Sequence, residues 1–131
     1  MATIEEALYT LVTTDTAVAA LMSTRLYPIY VPEKSSLPAA SYQMITTSRE
    51  YDQSGAAGFA SPRIQITITG RTYSEAKSVG NAIRAAINGY RGTVGTVVIF
   101  GIFLENEYDG SSNLETGFST LRQDYRTNWR E

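Results

Sequence analysis

The 131-residue sequence contains neither cysteine nor histidine. Those two absences remove disulfide scaffolds, Cys/His zinc sites, thiol nucleophiles and Ser-His-Asp triads together. Any catalysis would have to rest on carboxylates, lysine, tyrosine or serine. An excess of either charge is also missing: 11 Lys and Arg stand against 13 Asp and Glu, for a net charge of −2 and a pI near 5.2. A general nucleic-acid binder normally carries a basic excess. No apolar run approaches the length of a membrane span. The opening MATIEEALYTLV lacks the basic n-region and continuous apolar h-region of a signal peptide. A soluble protein made and used in a cytoplasm is expected, with no membrane role. Hydrophobic residues at 43% against 18% charged mark a globular chain. Residues 1–131 read as one domain, large enough to bury a core without disulfides or metal.

Periodicity sets the element order. Thr3 and Glu6 form a capping box, with Ile4, Ala7, Leu8, Leu11 and Val12 on one face of a helix over about 3–12. Thr14 or Asp15 starts a second short helix that runs to about 22. Pro28, Pro32 and Pro38 then make RLYPIYVP extended but unsuited to a central strand. Residues 40–50 alternate as a strand. In PRIQITITGR, Ile64, Ile66 and Ile68 oppose Arg63, Gln65, Thr67 and Thr69, which gives one dry and one wet face.

The period changes to that of a helix from Thr72 or Ser74 to Asn88-Gly89, with Gly80 inside the apolar stripe. A glycine there costs about 1 kcal/mol against alanine and implies close approach to the sheet. TVVIFGIFLENEYDG is a long strand, 109–117 a loop, and FSTLRQDYRTNWR a last strand. The fold class is α+β: an antiparallel or mixed sheet of about four to five strands, with helices packed on one face.

The stretch REYDQSGAAGFASPR, residues 49–63, separates two strands and is rich in glycine. A P-loop requires a lysine after its last glycine and then a helix; here neither follows Gly58. The stretch therefore reads as a pliable loop of about ten residues, between Tyr51 and Ser61, with Arg49, Glu50, Tyr51, Asp52 and Phe59 offering contacts. Glu105, Glu107, Asp109 and Gly110 fill positions 1, 3, 5 and 6 of a calcium loop, but Thr116 occupies position 12 and strands flank it. Glu105 and Glu107 are expected on one strand face, where a carboxylate pair is conceivable but a solvated strand end is commoner. Nine tyrosines favour protein contact over catalysis. Arg122, Asp124 and Arg126 alternate on one face of the last strand, either as a solvated surface or as a charged face meeting a neighbouring subunit.

Several stretches in order resemble the tail-completion, or tail-terminator, proteins of long-tailed bacteriophages. They are AVAALMSTRLYPIYVPEKSSLPAASYQM with its Arg25-x-Tyr27-Pro28 turn, Val31-Pro32 and Leu37-Pro38; SREYDQSGAAGFASPRIQITITGRTYSEAKSVGNAIRAAING; and FSTLRQDYRTNW. The resemblance spans roughly residues 8–130. It departs at Ala39-Ala40-Ser41, where the family usually begins its strand with a bulkier residue.

The resemblance implies a virion protein of the tail or neck, assembled in the cytoplasm of a host bacterium. Such a protein forms a ring of identical subunits, commonly a hexamer, at the head-proximal end of the tail tube. The ring stops tube growth and joins the major tail tube protein to the capsid connector, with genome DNA passing through the lumen without specific binding. No enzymatic role, catalytic residue, metal or cofactor is implied. Arg49, Glu50, Tyr51, Asp52, Phe59 and Arg63 would contact neighbours from the loop, and Arg122, Asp124 and Arg126 from the last strand. The alternatives are another neck or tail-tube structural protein, or a carboxylate-dependent metal-binding hydrolase centred on Glu105, Glu107 and Asp109.

Overall fold

The computed structural model describes residues 3–47, 49–52, 55–112 and 117–130; for residues 49–52, 55–59, 111 and 112 it describes the backbone. Three helices form where the caps predict them. In α1 (Ile4–Thr13) the Thr3 hydroxyl accepts from the Glu6 N–H, and Ile4, Ala7, Leu8 and Val12 are buried. Asp15 caps α2 (Thr16–Met22), accepting from the N–H groups of Ala17 and Val18 at 3.0 and 3.1 Å. Thr72 caps α3 (Tyr73–Ile87), and its buried stripe is Ala76, Val79, Gly80, Ile83 and Ile87.

The helices pack on one face of a mixed sheet that has eight strands among the described residues, more than the four to five expected. They are β1 (Leu26–Pro28), β2 (Ala39–Thr46), β3 (Arg49–Asp52), β4 (Gly55–Ala60), β5 (Arg63–Gly70), β6 (Gly92–Val94), β7 (Val97–Ser112) and β8 (Ser119–Arg130). The order is β1-β2-β5-β8-β4-β3, with β7 beside β8 and β6 beside β7. Among the described residues β1 and β2 run parallel and the other pairs antiparallel.

The extra strands have a simple origin. Pairing to β8 crosses Ser61-Pro62 without slipping: Ala60↔Trp129 is followed by Arg63↔Arg126. β4 and β5 are therefore one long strand, interrupted where proline has no N–H to give the ladder. The Pro62 carbonyl still accepts from the N–H and hydroxyl of Thr127, at 3.0 and 2.9 Å. β2 and β3 pair in succession along this long strand, each with a shift of register. Most of the stretch expected to be loop is thus the far half of a long hairpin. Residues 48, 53 and 54 lie outside the described residues.

Ile64, Ile66, Ile68, Leu121 and Tyr125 point under the helices and are fully or almost fully buried. A Cβ added at Gly80 would stand 2.5 Å from Leu121 Cδ2 and 3.2 Å from Gln123 Nε2, so α3 lies as close to the sheet as the glycine implies. Gln123, also fully buried, ties the layers together. Its Nε2 donates to the Gly80 carbonyl (2.9 Å) and to Glu107 Oε2 (3.2 Å), while its Oε1 accepts from the Tyr125 hydroxyl (2.8 Å). Burial raises the Tyr125 pKa well above the ordinary phenol range and keeps this hydroxyl a donor.

Candidate assembly interface

Two long hairpins turn at opposite ends of the sheet, and the first runs past its neighbouring strand. The first reverses between Asp52 and Gly55, a paired set, and passes the last β8 partnership, Phe59↔Arg130, by four residues. At about 3.4 Å per residue the arm extends roughly 14 Å beyond β8. The second reverses between Ser112 and Ser119, at the end where Gly70 pairs with Ser119. Arg49, Glu50, Tyr51, Asp52 and Phe59 sit on the first arm, and their side chains lie outside the described residues.

Arg63, Arg122, Asp124 and Arg126 come together on the face opposite the helices. Arg63 pairs across the strands with Arg126, Gln65 with Asp124, and Thr67 with Arg122. Like charges directly opposite each other destabilise a sheet. Arg63 is offset by Glu105 at 2.9 Å. Gln65 Nε2 bridges Tyr108 Oη and Asp124 Oδ1, at 2.8 and 3.0 Å. Residues 31–37 reach one corner of this face, where they border a groove of about 440 Å³ with Thr69 and Phe118. The rest of the face carries no covering element among the described residues.

The acidic strand end does not assemble as expected. The ladder slips between Leu104 and Asn106, so Glu105 turns to the uncovered face and meets Arg63. Glu107 turns under α3, where Lys77 Nζ lies 3.4 Å away. Asp109 Oδ2 accepts from the Tyr73 hydroxyl at 3.4 Å. An undisturbed period of two would have placed Glu105 and Glu107 side by side; one bulge separates them. Glu115 and Thr116 lie outside the described residues. Among the described residues no group of three or more acidic side chains is arranged to hold a metal.

The β1–β2 margin was not anticipated as a site. Pro28 ends β1, and the Tyr30 N–H donates to the Pro28 carbonyl at 2.8 Å around Ile29, whose φ is 72°. This is the strained form of the γ-turn, adopted here by a β-branched residue. It leaves Ile29 61% and Tyr30 70% exposed. Beside it, Glu5 and Glu6 of α1, Ile29 and β2 residues 42–44 border a groove of about 460 Å³. Burial, and then the nearby charge of Glu5, raises the Tyr42 pKa. The proline before Ile29 was a visible signal of a break, but not of this turn.

The family model described as tail completion protein gp17 matches residues 6–127. The chain belongs to that family. This tail completion protein is therefore a structural component of a phage-type tail, as the order of its motifs implies. Its fold is shared by a chain of the virion of a native gene transfer agent particle, at a TM-score of 0.80 and 18% identity. That match covers 98% of this chain and 95% of the other. No curated protein matches it.

Proposed function

We propose that this tail completion protein forms a homo-oligomeric ring, commonly six subunits in such proteins, at the head-proximal end of the tail tube. The ring halts tube growth by covering the last ring of major tail tube protein, and it presents a new surface to the capsid connector. The observation that carries this reading is that the two long hairpins turn at opposite ends of one sheet. A joining ring needs two contact surfaces facing in opposite directions, one for the tube and one for the connector. The arm bearing Arg49, Glu50, Tyr51, Asp52 and Phe59, with Arg63 at its base, serves one axial contact. Arg122, Asp124 and Arg126 contribute to contact between neighbouring subunits. Genome DNA passes through the lumen without specific binding, and assembly takes place in the cytoplasm of the host cell.

The mechanism is stoichiometric binding. Particles assembled without the protein are expected to carry tails of uncontrolled length that fail to join heads. A gold label on the protein is expected at the upper end of the tail in electron micrographs. Label distributed along the whole tube would make it a tube subunit and overturn the reading.

A further inference from the structure

Resting on the ring reading above, we infer that the ring closes by seating the β7 margin of one copy in the groove beside β2 of the next. A ring requires two different patches that meet head to tail. The large exposed apolar side chains among the described residues sort into such a pair. Ile29, Tyr30, Met44 and Ile45 lie at the β1–β2 margin, while Phe103, Tyr108 and Tyr73 lie at or beside β7, on the opposite margin; only Leu21 and Phe118 fall elsewhere.

The β7 margin also carries acids, but Glu105 is paired with Arg63, Glu107 with Lys77, and Asp109 accepts from Tyr73; the arginines of β8 are the charges complementary to the β2 groove. Glu5 and Glu6 border the β2 groove. Arg126 stands opposite Phe103, and Arg122 opposite Tyr108, on the face shared by β7 and β8. Among the described residues, two buried side-chain polar atoms have no hydrogen-bond partner: Glu5 Oε1, an acceptor, and Arg122 Nε, a donor. Both atoms are already enclosed within the protomer, so a second copy would meet the outer atoms of these side chains. Strain points the same way: Ile29 holds a left-handed φ that its branched side chain disfavours, and the result is an apolar knob in solvent. Aromatic side chains with arginine behind them are the usual centre of a protein contact. The occupant of the groove is therefore a second copy of this chain, and each contact pairs Glu5 and Glu6 with Arg122 and Arg126.

Sedimentation of the full-length chain tests the inference. The wild type is expected to sediment as a ring. Arg122→Glu/Arg126→Glu and Glu5→Lys/Glu6→Lys are each expected to fall to the 14.4 kDa protomer with an unchanged circular dichroism spectrum. Mixed in equal amounts, the two variants regain the ring, because each then offers the other an opposite charge. Rings that survive both reversals, or a mixture that stays protomeric, overturn this interface and leave the ring reading standing. A wild type that is protomeric at every concentration overturns the ring reading itself. Should a charge-reversed variant fail to fold, Ile29→Asn tests the apolar half: asparagine tolerates the left-handed φ, so the protomer gains thermal stability while the ring dissociates. A ring unaffected by Ile29→Asn overturns the inference.

Discussion

The two faces of the sheet are made by the same strands and obey different rules. Under the helices, the buried amide of Gln123 is fully engaged, linking Gly80, Glu107 and Tyr125. On the opposite face Arg63 stands across from Arg126, and Arg122 leaves its buried Nε without an acceptor. The alternation of β8 assigns Leu121, Gln123, Tyr125 and Thr127 to one role and Arg122, Asp124 and Arg126 to the other. Stability resides on the covered face. In the ring proposed above, the uncovered face is the one that meets a neighbouring copy.

The sharpest way to break that contrast is to empty the covered face. Tyr125→Ala removes the largest fully buried side chain and its hydrogen bond to Gln123. A loss of about 3–5 kcal/mol is expected, as for other buried aromatic truncations, read as a lower midpoint in denaturant. Gln123→Leu keeps much of the volume but deprives the buried Tyr125 hydroxyl of its acceptor and Glu107 Oε2 of the amide donor, for an expected loss of about 1–3 kcal/mol. If Gln123→Leu proved neutral, the buried amide would be dispensable to the packing of α3.

The matching change on the other face should barely register in folding. Arg126→Glu replaces a like-charge pair across from Arg63 with an opposite one. Its expected effect on stability is within about 0.5 kcal/mol, in the stabilising direction. Assembly, measured by sedimentation or by the yield of joined particles, is expected to suffer. A variant that lost stability as Gln123→Leu does would erase the distinction between the faces.

How far the sequence revealed this arrangement depended on how regular each segment is. β5, α3 and β8 repeat at one period for their whole length, so Ile64 to Ile68, Val79 to Ile83 and Leu121 to Tyr125 declare their buried side without help from the rest of the chain. Residues 55–60, GAAGFA, have little strand propensity and precede a proline. Their backbone is extended because β8 and β3 supply ladder partners on either side, which is a tertiary cause. The slip between Leu104 and Asn106 is invisible in the sequence for a related reason. A bulge changes which face a residue takes without changing the residues themselves. The turn at Ile29 runs against the preference of a β-branched residue, so propensity argued for an ordinary extended segment. The contact role read into tyrosines and into Arg122, Asp124 and Arg126 rested on residue types rather than periodicity. Arg122, Asp124 and Arg126 share the uncovered face, as their alternation implies, while the β1–β2 margin needed the coordinates to be seen.

The smallest effect concerns an ion pair that belongs to neither face. Glu75 sits in the first turn of α3 and accepts from the Arg71 N–H at 3.0 Å and from its guanidinium at 3.0 and 3.3 Å. Hydrogen bonding to Arg71, side chain first and backbone second, lowers the Glu75 pKa below the ordinary carboxylate value. A carboxylate whose pKa is depressed by folding stabilises the folded state above its unfolded pKa. That contribution is lost as the pH falls through the depressed folded value. Glu75→Gln should therefore melt slightly lower than wild type at neutral pH, and the difference should shrink to nothing in acid. High salt should weaken it as well, since the Arg71 side chain is exposed. Melting temperatures of the two proteins across that pH range decide the matter. A gap that persisted at low pH would mean that Glu75 supports α3 through packing rather than charge, and the stabilising side of the sheet would extend to its rim.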